Sequence, residues 1–391
     1  MIYKFDLSLL KYLCKHQSEE FLAVFKDYPI ENNHLCIEYS DKNYTCLDKL
    51  PSVLNSKIQA IGFFSGAGGL DIGTQLAGAK LISSMDFDKD CVETMKANPF
   101  FSHTKHLCED IRNQTGKDYD EILKCNNPEK LILVGGPPCQ PFSKAGYWVT
   151  NEHRQGINDD RNMVGEYLRI IDEIRPDGFI LENVESILHP TNRPVVEYIE
   201  NHIQKMNYSY IRIWANCVDY GIPQRRKRVL FLATRKTIDS APPIIKDKDV
   251  NVLDWIGKYD YESYSEIEEK IDGKTYSEEL KSVPAGRNYI ALSARDNYPS
   301  PKFIANKRFW NFLLKLHPLQ PSWTIAAQPG PWVGPFHWNN RRLRIPEIAA
   351  IQTFPQDYIF VGSRRSIQKQ IGNAVPSLLA KQFVEHLIKH I

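Results

Sequence analysis

The sequence has no C-x-x-C pair, no long apolar run and almost no net charge. Its eight cysteines are scattered over 391 residues, so we expect neither a metal site nor a disulfide framework, and each thiol should be free and reduced. No apolar run is long enough to cross a membrane, and charges interrupt the N-terminus every few residues, so we expect a soluble, cytoplasmic protein. A net charge of +2 gives no overall basic field, so any nucleic acid must be bound by local patches.

The apolar segments between residues 58 and 235 alternate with helical patterns. Five of them, IQAIGFFSG, GAKLISSMDFD, EKLILVGG, DGFILENV and RKRVLFLAT, have the length and composition of buried strands. This alternation predicts an α/β fold with a doubly wound, mostly parallel sheet. We expect residues 58–235 to form the catalytic and cofactor-binding domain.

The pattern changes on both sides of this region. Residues 236–338 are rich in Tyr, Trp, Pro and charged residues, which predicts a smaller, irregular domain. Residues 339–391 look helical again, and the apolar spacing of the last helix predicts that it packs on the first domain. Residues 1–57 form an N-terminal accessory segment without a chemical motif, with a predicted helix from Leu7 to Lys26 and a predicted hairpin around His34 to Leu47.

One segment places a cysteine on a stiff loop after a strand. Leu131 to Val134 are apolar residues followed by glycine and proline, as in a buried strand, and Gly135 and Gly136 allow a sharp turn. Prolines stiffen the chain around Cys139, so its thiol is expected at the carboxyl end of a parallel strand, where open α/β sheets bind ligands. From this stretch alone, a buried structural thiol and a reactive thiol are equally well supported.

A glycine-rich turn follows the first strand of the sheet. In FFSGAGGLDIG, Phe63 to Gly73, the strand runs through glycines into a helical pattern, so backbone N–H groups can bind a polar cofactor. Asp86 ends the next strand about twenty residues later, a position suited to ribose hydroxyls. The dinucleotide pattern G-x-G-x-x-G is imperfect, because Asp71 stands where the third glycine belongs, and this favours S-adenosylmethionine over a nicotinamide. A tight turn with a solvated aspartate is the alternative interpretation.

Charged side chains also accompany two later strands. Glu182 and Asn183 follow an apolar run and would lie beside the Cys139 loop if the two strands are neighbours. Arg226 and Arg228 share a parity just before another strand, so both side chains could point to one side. Each pattern alone is more often a solvated strand end, but their order and joint presence favour a functional site.

Together these motifs resemble those of the cytosine-C5 DNA methyltransferases. FFSGAGGLDIG, GGPPCQPFS, ENV, QRRKR and QIGNAVP occur in that family's order and at about its spacing, over residues 58–235 and 341–391. The resemblance implies a Rossmann-like methyltransferase fold, S-adenosylmethionine as cofactor and a target-recognition domain at residues 236–338. By motif matching it implies these cofactor-binding residues: Phe64, Gly66, Gly68, Gly69, Asp86, Phe87, Asp110, Ile111, Asn373 and Ala374. The chain departs from the family at Gly62, where many members have an aspartate, and at Pro346, where many have an arginine.

The resemblance also implies catalytic roles for Cys139, Glu182, Arg226 and Arg228. Cytosine C5 is a weak nucleophile, and addition of the Cys139 thiolate at C6 would activate it. Glu182 would supply a proton or a strong hydrogen bond to N3 as charge develops on the ring. The two arginines would stabilise that charge and the thiolate.

A base inside a duplex cannot reach this cysteine, so double-stranded DNA would have to present a flipped-out cytosine. The polar segment after the nucleophile, residues 144–162, is expected to act as a lid. In the irregular region, arginines and lysines alternate with aromatic residues, as expected of a surface that reads bases and binds phosphates. The expected DNA-binding residues are Gln140, Ser143, Arg287, Arg295 and Arg308.

Three functions are compatible with these motifs. The favoured one is a bacterial, sequence-specific DNA methyltransferase that acts as a monomer, either as an orphan enzyme or beside a cognate restriction endonuclease without a stable complex. The second keeps the chemistry but acts on transfer RNA, and the long irregular insert argues against it. The third is a non-catalytic nucleic-acid-binding protein, and the intact set of Cys139, Glu182, Arg226 and Arg228 argues against that one.

Overall fold

The computed structural model describes residues 1–6, 28–32, 34–40, 53–138, 163–245, 250–261, 263, 265–304 and 309–391. The chain forms two compact units. The sheet unit comprises Thr45–Ile222, Arg226–Lys246 and Gln352–Ile391. The irregular unit comprises Met1–Tyr44, Pro223–Arg225 and Asp247–Ile351. Within the described ranges, no helix combines the length and apolar composition that a membrane span requires.

The described strands and helices follow one another in an order that fits an α/β protein. The strands are β1 (Ile2–Asp6), β2 (Ile30–Glu31), β3 (His34–Glu38), β4 (Ile58–Phe63), β5 (Lys80–Asp86), β6 (Lys105–Cys108), β7 (Lys130–Gly135), β8 (Gly178–Val184), β9 (Ser209–Asn216), β10 (Gln224–Arg225), β11 (Lys227–Thr234) and β12 (Ser322–Trp323). The α-helices are α1 (Gly69–Leu76), α2 (Lys89–Ala97), α3 (Asp120–Asn126), α4 (Met163–Ile174), α5 (Arg193–Lys205), α6 (Leu253–Ile256), α7 (Ser277–Ser282), α8 (Ile345–Ile351), α9 (Arg364–Asn373) and α10 (Ser377–Ile388).

A seven-stranded sheet with the order β6-β5-β4-β7-β8-β11-β9 forms the centre of the sheet unit. Neighbouring strands from β6 to β8 are parallel, and β11 runs antiparallel to both β8 and β9. The direction of winding therefore reverses between β4 and β7, and such sheets bind ligands at the carboxyl ends of the strands beside that switch point. The predicted doubly wound, mostly parallel sheet is confirmed.

Helices α4 and α5 bury their apolar faces in the core of the sheet unit. Tyr167 and Ile199 from these helices join Phe63 and Leu181 from the strands in one buried cluster. Helix α10 packs on α1 instead, as its apolar spacing predicts. A Cβ atom on Gly73 of α1 would lie 2.3 Å from the Cβ of Ala380 in α10, so the close approach of these helices requires glycine.

The irregular unit has little regular structure among its described residues. Strands β1, β3 and β2 form a three-stranded antiparallel sheet, and β10 pairs with β12 in parallel. Its core is a cluster of apolar residues that includes Leu280, Tyr289 and Phe336. Beside it, Arg341 pairs with both Asp260 and Glu347, at 2.5 and 2.7 Å.

The two units do not coincide with the segments expected from the sequence. Residues 1–44 group with the irregular unit because β1 and its neighbours pack there, through contacts such as the hydrogen bond from the Tyr3 hydroxyl to Asp260 at 2.6 Å. Residues 236–246 stay with the sheet unit, where the N–H of Ile245 donates to the carbonyl oxygen of Asp219 at 2.9 Å. Residues 339–351 join the irregular unit, since α8 contacts α6.

The N-terminal predictions have separate outcomes. The predicted helix from Leu7 to Lys26 lies outside the described residues. His34–Glu38 is a strand, but its described partners are β1 and β2, which precede it in the chain, and not a later strand. The second half of the predicted hairpin, after residue 40, is outside the described residues.

Candidate active site

The turn after β4 has a backbone conformation that suits glycine. Phe64, Gly66 and Gly68 have positive φ angles of 54°, 55° and 81°. A Cβ atom on Gly69 would lie 2.3 Å from the carbonyl oxygen of Val375, so the turn packs tightly on the segment before α10. The other side of the turn, including Phe64 and Gly66, lines a cavity.

Asp86, the last residue of β5, is bonded to this turn. Its Oδ2 accepts a hydrogen bond from the N–H of Gly66 at 2.8 Å, and its Oδ1 accepts one from the N–H of Asp88 at 2.9 Å. Burial raises the pKa of Asp86, and the two hydrogen bonds oppose that change. The next residue, Phe87, is 73% exposed and lines the same cavity. An acidic side chain and an exposed aromatic ring are therefore adjacent in the cavity lining.

Asp110 and Ile111 follow β6 in the chain, and both line the cavity. Asp110 accepts a hydrogen bond from the N–H of Arg112 at 2.9 Å and pairs with its guanidinium at 2.6 Å. This arginine lowers the pKa of Asp110. Ile111 is buried and belongs to the core of the sheet unit. The pair thus offers one ionised acid and one fixed apolar surface.

The segment after α9 completes the wall, and a buried arginine holds it there. Arg226 is 1% exposed, and its Nη2 donates to the carbonyl oxygens of Gly372 and Ala374, each at 3.0 Å. Burial, followed by the charge of Arg228, lowers the pKa of Arg226 to about 9. A cation at the end of a helix satisfies the carbonyl groups that the helix leaves unpaired. Arg226 therefore fixes residues 373–375, which line the cavity.

Glu182 and Arg228 form an ion pair across the neighbouring strands β8 and β11. Oε1 of Glu182 lies 2.7 Å from Nε of Arg228, and the side chains are only 11% and 12% exposed. The strand register makes them diagonal neighbours on one face of the sheet. Oε2 of Glu182 lies 3.0 Å from the position that a Cβ on Gly136 would take. The carboxylate is therefore directly against the turn that leads to Pro138.

These groups border one cavity of about 650 Å³ within the sheet unit. Of the residues expected from the sequence, its lining includes Phe64, Gly66, Asp86, Phe87, Asp110, Ile111, Glu182, Arg226, Arg228, Asn373 and Ala374. Gly68 and Gly69 lie behind the turn, where they allow its close packing. The wall also includes Pro138, the residue before the expected nucleophile. Cys139, Gln140, Ser143 and the expected lid at residues 144–162 lie outside the described residues.

A family model described as C-5 cytosine-specific DNA methylase matches residues 58–389 of the chain. The chain belongs to this family. The matched region contains all seven strands of the central sheet, together with α9 and α10, so it includes the whole cavity. The protein is thus an enzyme of the DNA cytosine-C5 methyltransferase class. Of the nucleic acids considered above, DNA is the one that the family supports.

Individual relatives of this methylase agree with the family. The chain is 32% identical over 372 residues to the type II methyltransferase M.SacI of Streptomyces achromogenes, which covers 86% of this chain and 94% of that protein. It is 30% identical over 342 residues to M1.HphI of Haemophilus parahaemolyticus, with 84% and 86% covered. Among solved structures, the Entamoeba histolytica methyltransferase EhMeth matches with a TM-score of 0.58 at 18% identity, covering 85% of this chain and 98% of that one. The Dnmt2 methyltransferase of S. pombe matches with a TM-score of 0.56 at 16% identity and the same coverage, so the fold is shared.

The three arginines expected to bind DNA fall in the irregular unit of the methylase. Arg287 is exposed, but its Nη2 lies 2.6 Å from Oδ1 of Asp296, so an ion pair would have to break before it could reach a base. Arg295 is exposed in the short turn Ala294–Asp296. Arg308 lies outside the described residues. Arg295 is therefore the better placed of the two described arginines.

Sequence reasoning missed a cationic and aromatic cluster in the irregular unit. The guanidinium carbon of Arg225 lies 5.0 Å from the ring centre of Trp323, and the rings of Trp323 and Trp310 are 5.7 Å apart and nearly perpendicular. Trp310 is 48% exposed. Arg225 comes to this cluster through the pairing of β10 with β12, and no local signal in QRRKR separates it from Arg226.

An ion pair on the cavity wall was also missed. Lys369 of α9 lies 2.7 Å from Oδ2 of Asp88, and both residues line the cavity. Oδ1 of Asp88 accepts a hydrogen bond from the N–H of Asp90 and caps α2. An aspartate just before a helical pattern is a recognisable N-cap signal, so the sequence could have identified Asp88 but not its partner.

Proposed function

We propose that this methylase transfers a methyl group from S-adenosylmethionine to C5 of a flipped-out cytosine in double-stranded DNA, with Cys139 as the nucleophile. The observation that carries the proposal is the position of the ion pair between Glu182 and Arg228. It lies on the same cavity as the glycine-rich turn and directly against Gly136, three residues before Cys139. A carboxyl group, a fixed positive charge and the chain leading to the nucleophile therefore border one space.

The cavity fits S-adenosylmethionine by its size and by its polar groups. A volume of about 650 Å³ is in the range of small-molecule pockets. The turn presents Gly66 to the cavity, where a Cβ would meet no protein atom within 4 Å, so this side of the turn leaves room for a ligand. Asp86 would hold the ribose hydroxyls, and the exposed ring of Phe87, together with Asp110 and Ile111, would hold the adenine. The bound donor supplies an electrophilic methyl group.

The proposed reaction begins with the addition of the Cys139 thiolate to C6 of cytosine, while N3 takes a proton. In this proposal, Glu182 supplies that proton to N3. Its Oε1 is fixed by Arg228, which leaves Oε2, beside Gly136, free to face the base. The electron pair released at C5 then forms the bond to the methyl carbon, and the electron pair of the broken S–C bond stays on the donor sulfur, which would leave as a neutral thioether. A base removes the C5 proton, N3 returns its proton to Glu182, and the S–C6 bond breaks to regenerate the thiolate and the aromatic ring.

Arg228 and Arg226 have different roles in this proposal. Arg228 touches the catalytic carboxylate and places a fixed charge where negative charge develops in the transition state. Arg226 acts as a positioning residue, because its described hydrogen bonds go to the carbonyl groups of Gly372 and Ala374 and not toward open space. Loss of Arg226 would disturb the part of the cavity that binds the cofactor more than the part that binds the cytosine.

The irregular unit would select the DNA sequence, with Arg295 reading a base edge. Because M.SacI and M1.HphI are type II methyltransferases, we place the protein in a type II restriction-modification system. In that system we expect a cytoplasmic monomer without a stable complex with its restriction endonuclease. Light scattering of the purified protein, alone and with duplex DNA, tests the monomeric state.

Methylation of random-sequence nucleic acid tests the proposed function. The protein is incubated with tritiated S-adenosylmethionine and either duplex DNA or RNA, and 5-methylcytosine is mapped by sequencing. We expect label in DNA only, at C5 of cytosine within one short sequence. Cys139→Ala should abolish labelling, while Cys125→Ala, which changes an exposed free cysteine, should not. Label confined to RNA, or on another atom of the base, would contradict the proposal.

A further inference from the structure

A buried carboxylate lies beneath the glycine-rich turn. Asp71, in the first turn of α1, is 1% exposed, and the polar side chain beside its carboxylate is the hydroxyl of Ser65. Burial of a charge without an opposite charge is costly, and the helix N-terminus offsets only part of that cost. The hydroxyl of Ser65 has no other partner among the described residues. A neutral hydroxyl therefore stands beside a buried carboxyl group whose charge no cation among the described residues offsets.

Gly62 makes room for this carboxylate. A Cβ atom on Gly62 would lie 1.9 Å from Oδ1 of Asp71 and 2.9 Å from Oγ of Ser65. Any side chain at residue 62 would therefore displace Asp71. Ser65 lines the cavity, and so does Leu70, the residue before Asp71. The carboxylate is thus held one residue behind the cavity wall.

The surroundings of Asp71 leave its charge uncompensated. Burial raises the pKa of Asp71 to about 7, Ser65 opposes this change, and the negative charge of Asp86 adds to it. In the part of the chain that the structure describes, the charge of Asp71 also acts on Tyr167 and Tyr358, and burial raises the pKa of both hydroxyls, so they stay neutral. None of the charges that shift the pKa of Asp71 is positive.

We propose that Asp71 is a positioning residue that makes the cavity prefer the sulfonium form of the cofactor over its demethylated thioether product. The inference rests on the proposed function, because methyl transfer turns a sulfonium cation into a neutral thioether. A carboxylate in low-dielectric surroundings attracts a cation over several ångströms without touching it, and this attraction is lost when the charge disappears. The arrangement would therefore favour binding of the methyl donor and release of the product after each turnover.

Calorimetric titration of S-adenosylmethionine and S-adenosylhomocysteine tests this inference without measuring activity. Asp71→Asn keeps the shape of the side chain and removes its charge. We expect it to weaken sulfonium binding at pH 8 by about tenfold and thioether binding by less than about twofold. Asp118→Asn is the matched control, because Asp118 stands at the same position of a helical N-terminus but on the exposed surface, outside the cavity. It should leave the ratio of the two affinities unchanged.

The wild-type protein gives a second test that needs no variant. The two ligands share their amino and carboxyl groups, so the ratio of their affinities isolates the sulfonium charge. This ratio should rise several-fold between pH 6 and pH 8, as the carboxyl group of Asp71 loses its proton, and Asp71→Asn should flatten the rise. An unchanged ratio in the variant, together with a flat wild-type profile, would overturn the inference. Failure of the wild-type protein to bind either ligand would instead contradict the proposed function.

Discussion

The carboxylate of Glu182 lies 2.7 Å from the guanidinium of Arg228, and both side chains are almost buried. Removing one member of such a pair leaves an uncompensated buried charge, which affects stability as well as chemistry. Tests of this pair therefore need a rate, an affinity and a measure of folding for each variant.

Arg228→Ala should slow methyl transfer about 10² to 10³-fold, because it removes a fixed charge that stabilises the transition state. Cofactor affinity should change little, since Arg228 lies on the cytosine side of the proposed site. Single-turnover kinetics with tritiated cofactor and calorimetry measure the two effects. Lys227→Ala is the control, because Lys227 is half-exposed on the same strand and pairs loosely with Glu185 at 3.4 Å. Equal losses of rate in both variants would rule out a specific role for Arg228.

Arg226→Ala should lower the free energy of unfolding by about 3 kcal/mol, because the buried carbonyl groups of Gly372 and Ala374 lose a charged donor. It should also weaken cofactor binding, since the segment after α9 is no longer fixed. Urea unfolding and calorimetry provide the measurements. Arg193→Ala, which removes an exposed ion pair with Glu197, should change neither quantity appreciably. Normal cofactor affinity in Arg226→Ala would show that this residue does not position the cofactor side.

Tyr3→Phe should destabilise the irregular unit by about 1 to 3 kcal/mol. The Tyr3 hydroxyl donates to Asp260 at 2.6 Å and accepts from Nε1 of Trp338 at 2.9 Å, so its loss leaves two buried groups with fewer partners. Unfolding followed by tryptophan fluorescence measures the effect. Tyr261→Phe, at a tyrosine that is 56% exposed, is the control. If the two variants were equally stable, the N-terminal strand would not be an integral part of this unit.

Arg295→Ala should lower the discrimination between bases at one position of the methylated sequence by about 1 to 3 kcal/mol, because an exposed arginine can read a guanine edge. Arg287→Ala should have a smaller effect, since Arg287 is already paired with Asp296. Sequencing of methylated random DNA compares both variants with the parent. Retention of the parent site by Arg295→Ala would place the readout elsewhere, with Arg225, Trp323 and Trp310 as the next residues to change.

The sheet and the position of Glu182 could be predicted because their signals are local or depend on one condition. The apolar runs specify the strands, and Glu182 was expected beside the Cys139 loop if two strands were neighbours. Strands β7 and β8 are neighbours, so that condition is met. The residues expected to bind the cofactor were matched through the resemblance to the family, and most of them line the cavity.

Other features depend on contacts between distant residues and could not be predicted. The partners of Arg226 lie in a segment 146 and 148 residues later, and Arg225 beside it belongs to the other unit. Asp71 occupies an ordinary first-turn position in the sequence, and its burial against Gly62 is visible only in three dimensions. Equally, no pattern near Tyr3 indicates that its partners are Asp260 and Trp338.

Covalent trapping of the protein on DNA tests the nucleophilic role of Cys139 most directly. Duplex DNA carrying 5-fluorocytosine at the target position is incubated with the protein and S-adenosylmethionine, because fluorine replaces the proton whose removal completes the reaction. We predict a stable protein–DNA adduct whose peptide map places the bond on Cys139, and the same adduct with Cys125→Ala. Cys139→Ala should bind the cofactor normally and form no adduct. An adduct formed by Cys139→Ala, or mapped to another residue, would contradict the account.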